Sequence, residues 1–141
     1  MKISIGADHR GYNVKQAIMA EFNDIDWIDV GTDSSERTDY PLFAELVCQK
    51  ILTKEVEAGI LICGSGIGMS IAANRHKGIY AGLCWNPEVA RVAKQDDGVN
   101  VLVVAADFVD QDTVFAIIRG WCRTEIKDGV YRQRLAMMDK T

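Results

Sequence analysis

The chain reads as an α/β protein with a five-stranded parallel sheet covered by helices on both faces. Short apolar runs alternate with segments of helical spacing along the whole length. The middle run, residues 59 to 62, is apolar at consecutive positions, as expected of a strand buried on both faces. Polar or glycine-bearing turns follow the ends of these runs, and in such sheets ligands bind at the carboxyl ends of the strands.

Taken in order, Ile3-Ser4-Ile5 predicts the first strand, the loop Gly6 to Gly11 follows, and Val14, Ile18 and Phe22 form one face of a helix. Trp27 to Val30 predicts strand two, with a polar loop from Gly31 to Asp39. Pro41 suits the first turn of a helix, where its missing N–H is not needed, and Phe43, Leu46, Val47, Cys48 and Ile51 supply an apolar side. After the central strand, Ser70 to Arg75 is compatible with a helix of small residues. Ile79 to Cys84 predicts strand four, and Asn86-Pro87-Glu88 is an N-cap and proline entry to a helix ending near Gln95. Asn100 to Ala105 supplies strand five. Asp112 to Arg123 presents Val114, Ile117, Ile118 and Trp121 to the core, and Tyr131, Leu135 and Met138 mark a last helix that docks on this or another subunit.

The 141 residues suit one domain, 1–141, and 48% hydrophobic with 26% charged residues is the balance of a soluble globular protein. A net charge of −4 and the lack of a basic stripe argue against nucleic acid as a partner. The apolar runs are far shorter than the ~20 residues that span a bilayer, and Met1 to Gly6 lacks a signal-peptide pattern, so a cytoplasmic protein without membrane attachment is expected. Cys48, Cys63, Cys84 and Cys122 are widely spaced, which predicts reduced thiols and no zinc or redox motif.

The chemistry concentrates in Cys63-Gly64-Ser65-Gly66-Ile67-Gly68, between the central strand and a helix. The glycines permit positive φ or close approach of a ligand, and unpaired N–H groups at a helix start favour anions and developing oxyanions. The same surroundings predict a Cys63 thiolate favoured relative to its reference pKa of about 8.5, making it a candidate base or nucleophile. A packed cysteine and a plain turn are the competing reading. The spacing is neither a dinucleotide fingerprint nor a P-loop. Asp8 is either a helix cap or a ligand contact, and His9 either a solvated side chain or a ligand contact. His76 is expected at the surface, Cys84 in packing, Trp85 as a wall or cover, and Tyr40 as a loop anchor suited to a sugar hydroxyl.

Three stretches in this order, Gly6-Ala7-Asp8-His9-Arg10-Gly11-Tyr12, Gly31 to Pro41 and Ile62 to Asn74, resemble the type-B ribose-5-phosphate isomerase and galactose-6-phosphate isomerase family over nearly the whole length. The resemblance implies a three-layer α/β/α, Rossmann-like (flavodoxin-like) fold, no metal or other cofactor, and homodimers or homotetramers with active sites shared between subunits. It implies that Cys63 moves a proton between C1 and C2 of an open-chain sugar phosphate, assisted by Ser65, while the amides of Gly64, Ser65, Gly66, Ile67 and Gly68 hold the oxygen of a cis-enediolate. Asp8, His9 and Tyr40 match substrate contacts, and Arg134 matches a phosphate-binding arginine that reaches the neighbouring subunit's site.

Departures from the family pattern cluster elsewhere. Asp96 stands where the family places its ring-opening histidine, leaving a carboxylate for the base half of that role, and Asp97 replaces a substrate-binding asparagine. Asp107 and Val130 replace two phosphate-site arginines, reversing an attraction at the first, with Arg10, Arg132 or a partner chain as compensating groups. The expected substrate is therefore a sugar phosphate that is mostly open-chain. The alternatives are one subunit of a heteromeric galactose-6-phosphate-type isomerase and a sugar-phosphate-binding protein without turnover.

Overall fold

The computed structural model describes residues 1–140. In chain order the elements are β1 (Lys2–Ala7), α1 (Tyr12–Glu21), β2 (Asp26–Gly31), α2 (Tyr40–Leu52), β3 (Ala58–Cys63), α3 (Ile67–Ala73), β4 (Ala81–Leu83), α4 (Pro87–Asp97), β5 (Val101–Ala105), α5 (Gln111–Cys122) and α6 (Val130–Met138). The five strands form one parallel sheet in the order β2-β1-β3-β5-β4, flanked by helices in the flavodoxin-like manner. The predicted sheet is thus present. Strand four is only three residues long, inside the expected Ile79 to Cys84; just before it the Tyr80 N–H donates to Asn100 Oδ1 at 2.8 Å while its carbonyl accepts from Asn100 N and Val101 N.

Successive strand residues point to opposite faces, which explains the unbroken apolar runs. Ile60, Ile62, Leu102 and Val104 pack with Ile18, Val114, Ile117, Ile118 and Trp121 on one face. Leu61, Cys63, Val101 and Val103 pack with Ala44, Val47, Cys48, Met69 and Ala73 on the other. Trp121 is 1% exposed, and its indole N–H donates to Val99 O at 2.9 Å, so it is the structural residue its spacing predicts. The cap at Asn86 also forms, its side chain accepting from Val89 N at 2.8 Å. The helix after the glycine turn starts earlier than expected, at Ile67 rather than Ser70, which brings its first turn to the end of β3.

Lys15 stands out among the charged residues of α1. It is fully buried, and its ammonium donates to both carboxylate oxygens of Asp29 at 2.7 Å, joining α1 to β2. Losing Asp29 would remove the anion that balances a buried ammonium, which is destabilising.

The last helix, α6, has no buried residue, yet Leu135 closes on the end of α4: a Cβ on Gly98 would meet Leu135 Cδ1 at 2.9 Å.

Candidate active site

The site forms where β1, β3 and β5 end side by side. Asp8 N donates to Ile62 O at 3.2 Å, Ala106 N to Cys63 O at 2.9 Å, and Asp107 N to Gly64 O at 3.0 Å, so backbone bonds fasten both neighbouring loops to the end of β3. Cys63 lies between them, 5% exposed. Gly66 turns the chain into α3 with φ of 77°, where a side chain would also strike Leu83 Cδ1 at 2.5 Å.

The amides of Met69, Gly66 and Ser65 point at Cys63 and stabilise its thiolate, as the glycine turn predicts. Burial outweighs them, and the carboxylate of Asp8 adds to it, so the Cys63 thiol is pushed above its ordinary value of 9.0. This corrects the expectation of a lowered pKa: burial penalises the charged sulfur more than its amide neighbours favour it. The raised value favours the thiol form of Cys63 over the thiolate.

The surrounding side chains are tied to one another. Asp8 does not cap α1, whose N-cap is Gly11; instead its Oδ1 accepts from Arg10 N at 3.0 Å and Gly11 N at 3.1 Å, shaping the β1–α1 loop. His9 is bound to the 31–39 loop rather than free in solvent: Nδ1 accepts from Thr38 N and His9 N donates to Thr38 Oγ1, both at 3.2 Å. Tyr40, the first residue of α2, lies against Gly68. Ser65 Oγ accepts from Ile67 N at 3.2 Å and stays at the mouth.

Beside the turn, a cavity of about 350 Å³ is lined by Ser65, Ile67, Cys84, Trp85, Phe108 and Val109 among others. Trp85 is the expected wall. Phe108 is an addition that the sequence signals only by placing an aromatic directly after Asp107. Cys84 is 1% exposed, and burial raises its thiol to about 11, consistent with packing. Arg10 and Asp107 form an ion pair across the end of β3.

Asp96 and Arg134 are not brought to Cys63 within one chain. α4 runs back from the carboxyl end of the sheet, so Asp96 lies at the opposite end and pairs with Lys127 Nζ at 3.3 Å. Arg134 sits on α6 over the Tyr131 ring, 5.7 Å from its centroid. A cavity of about 700 Å³ is also at that end, lined by Arg75, His76, Lys77, Tyr80, Asp97 and Asp139 among others. Neither Cys63 nor the 64–68 turn is among the residues that line it. His76 is less exposed than predicted, paired with Glu45 Oε2 at 3.0 Å. Among the described residues no group of three or more His, Cys, Asp or Glu side chains is placed to hold a metal, and no helix is long and apolar enough to cross a membrane.

Fold and site together define a parallel α/β protein with a buried thiol and a glycine-rich turn at the carboxyl end of its central strand. The comparisons place it further: residues 3–138 match the Ribose/Galactose Isomerase family, and the chain belongs to that family. It is 40% identical to ribose-5-phosphate isomerase B of Escherichia coli K12 over 136 residues, covering 95% of this chain and 91% of the relative. A ribose 5-phosphate isomerase RpiB from Thermotoga maritima superposes with a TM-score of 0.97 at 37% identity, covering 99% and 98% of the two chains. Ribose-5-phosphate isomerase B from Mycoplasma genitalium, solved with bound ribulose-5-phosphate, gives 0.91 at 31% identity, covering 99% and 94%.

Proposed function

We propose that this chain is an aldose–ketose isomerase of a small phosphorylated sugar, acting in the cytoplasm as a homo-oligomer with shared sites. The observation that carries the reading is Cys63 at the strand end, faced by the amides of Ser65, Gly66 and Met69 and flanked by Asp8.

The Cys63 thiolate takes the proton from C2 of the open-chain aldose. The C–H electron pair becomes the C1=C2 bond, and the carbonyl pair moves to O1, giving a cis-enediolate. The amides of the 64–68 turn hold that oxygen, a form of stabilisation that typically contributes ~3–4 kcal/mol per donor. The proton on O2 passes to O1 and the carbonyl re-forms at C2 as Cys63 returns its proton to C1, which gives the ketose with no net proton consumed. Ser65 assists at the mouth, and Asp8, His9 and Tyr40 position the hydroxyls.

Ring opening needs a group that donates one proton and accepts another. Asp96 stands where the family pattern has its ring-opening histidine, and it is held in an ion pair with Lys127 Nζ at 3.3 Å. This supports a substrate that is mostly open-chain, such as a tetrose phosphate, over ribose 5-phosphate. The placement of Asp96 and Arg134 at the far end of the sheet supports a second copy as their route to a Cys63 site.

The test is solvent deuterium incorporation, followed by NMR, across tetrose, pentose and hexose phosphates with the wild type and Cys63→Ser. Exchange at C1 or C2 that falls by ~10²-fold or more in the variant is expected. Equal exchange by both proteins rejects Cys63 as the base.

A further inference from the structure

We propose that Arg10 binds the anionic group of the substrate and that Asp107 is its resting counter-ion, displaced when that group arrives. The inference rests on the isomerase reading only for the identity of the ligand, a phosphate ester; the pair itself is a feature of the fold.

Arg10 comes from the β1–α1 loop and Asp107 from the β5–α5 loop, and β1 and β5 flank β3 on either side. The pair therefore closes over the strand end that carries Cys63. A Cβ built on Gly64 would stand 2.8 Å from Arg10 Nε and 2.7 Å from Asp107 Oδ2, so both charged groups rest directly on the turn.

Three observations make the pair displaceable. The side chains are 59% and 34% exposed, and ion pairs this open to water are weakly held and screened by salt. The two backbones are anchored without it, Arg10 N on Asp8 Oδ1 at 3.0 Å and Asp107 N on Gly64 O at 3.0 Å, so separating the charges needs only side-chain rotation. A phosphate presents the same oxygen fork to a guanidinium as a carboxylate does, with more charge.

The alternative direction offers no charge complement. Beyond Asp107 the cavity is lined by Ser65, Ile67, Leu83, Trp85, Phe108 and other residues without a cation. An anion approaching Cys63 from the mouth meets Arg10, and Asp107 competes for the same guanidinium.

The experiment is calorimetric titration of the intact protein with inorganic phosphate and with ribose 5-phosphate. The proteins are the wild type, Asp107→Asn, Arg10→Gln and the double variant, with circular dichroism confirming the fold. Asparagine keeps the shape of residue 107 and its backbone bond to Gly64. Asp107→Asn is expected to tighten phosphate binding by about tenfold, Arg10→Gln to weaken it by at least about tenfold, and the gain to vanish in the double variant. Unchanged or weaker binding by Asp107→Asn overturns the proposal, as does a gain that survives without Arg10. Inorganic phosphate needs no turnover, so this outcome is independent of the isomerase reading. If the binding pattern holds while no sugar phosphate exchanges deuterium, the isomerase reading fails and the anion contact stands.

Discussion

Tyr40 and Gly68 are in direct contact across the start of α2 and the first turn of α3. A methyl group on Gly68 would stand 2.6 Å from Tyr40 Cε1 and Cζ and 2.9 Å from its Oη. The glycine is what lets the phenol lie at the site.

Gly68→Ala is therefore expected to push Tyr40 off the turn, with overpacking costing ~1–3 kcal/mol and kcat/KM falling at least about tenfold. Adding Tyr40→Ala removes the clash and recovers much of the stability without recovering activity. Thermal denaturation and kinetics of the two single variants and the double variant measure this. Strictly additive stability losses would show that the two residues are uncoupled.

The raised Cys63 thiol sets a pH profile. Activity that requires the thiolate grows with pH below the raised pKa, so kcat/KM is expected to climb with pH from 7 to 9 without levelling off. A rate already level from pH 7 would mean that the working base is another group or an unburied thiolate.

A shared site makes a prediction about mixtures. Cys63→Ser and Arg134→Ala are each expected to be nearly inactive, and a dimer containing one of each has one intact site. Mixing them after reversible dissociation should restore roughly a quarter of wild-type activity by random pairing. Absence of any recovery in confirmed mixed dimers would place Arg134 outside the partner's site.

Buried thiols predict alkaline instability. Cys48 is fully buried, and its thiol is pushed up to about 12, first by burial and then by Glu45. The folded value lies above the unfolded one, so the stabilisation is intact below pH 9 and is lost as the pH rises from 9 towards 12. At about 1.4 kcal/mol per unit, the loss reaches several kcal/mol. Cys84 and Cys122, both raised to about 11, act in the same direction. Urea unfolding as a function of pH should show a flatter alkaline slope for Cys48→Ser; identical slopes would remove Cys48 from the account.

Much of the fold was legible because periodicity is local. The β3 run is continuous because both of its faces are covered, α5 shows its core face at helical spacing, and the Asn86–Pro87 entry to α4 is short-range chemistry. Lys15 was not legible, since a lysine on an amphipathic helix reads as solvated until Asp29 of another strand is placed against it. The link between Tyr80 N, just before strand four, and the Asn100 side chain was hidden for the same reason, because the two residues lie 20 apart in the chain.

For the site, the sequence by itself determined the reactive inventory: Cys63 at a strand end, the glycine turn, Asp8 and His9 in the first loop, and the acidic substitutions at Asp96, Asp97 and Asp107. Only the tertiary structure decided how these groups act on one another. It buried Cys63 enough to raise its pKa, tied His9 to Thr38, set Tyr40 on Gly68, paired Arg10 with Asp107 and sent Asp96 to the opposite end of the sheet. The physical reason is that residue type and spacing encode local geometry and chemical capacity, whereas solvation, charge pairing and proximity depend on segments that meet only through the sheet order β2-β1-β3-β5-β4.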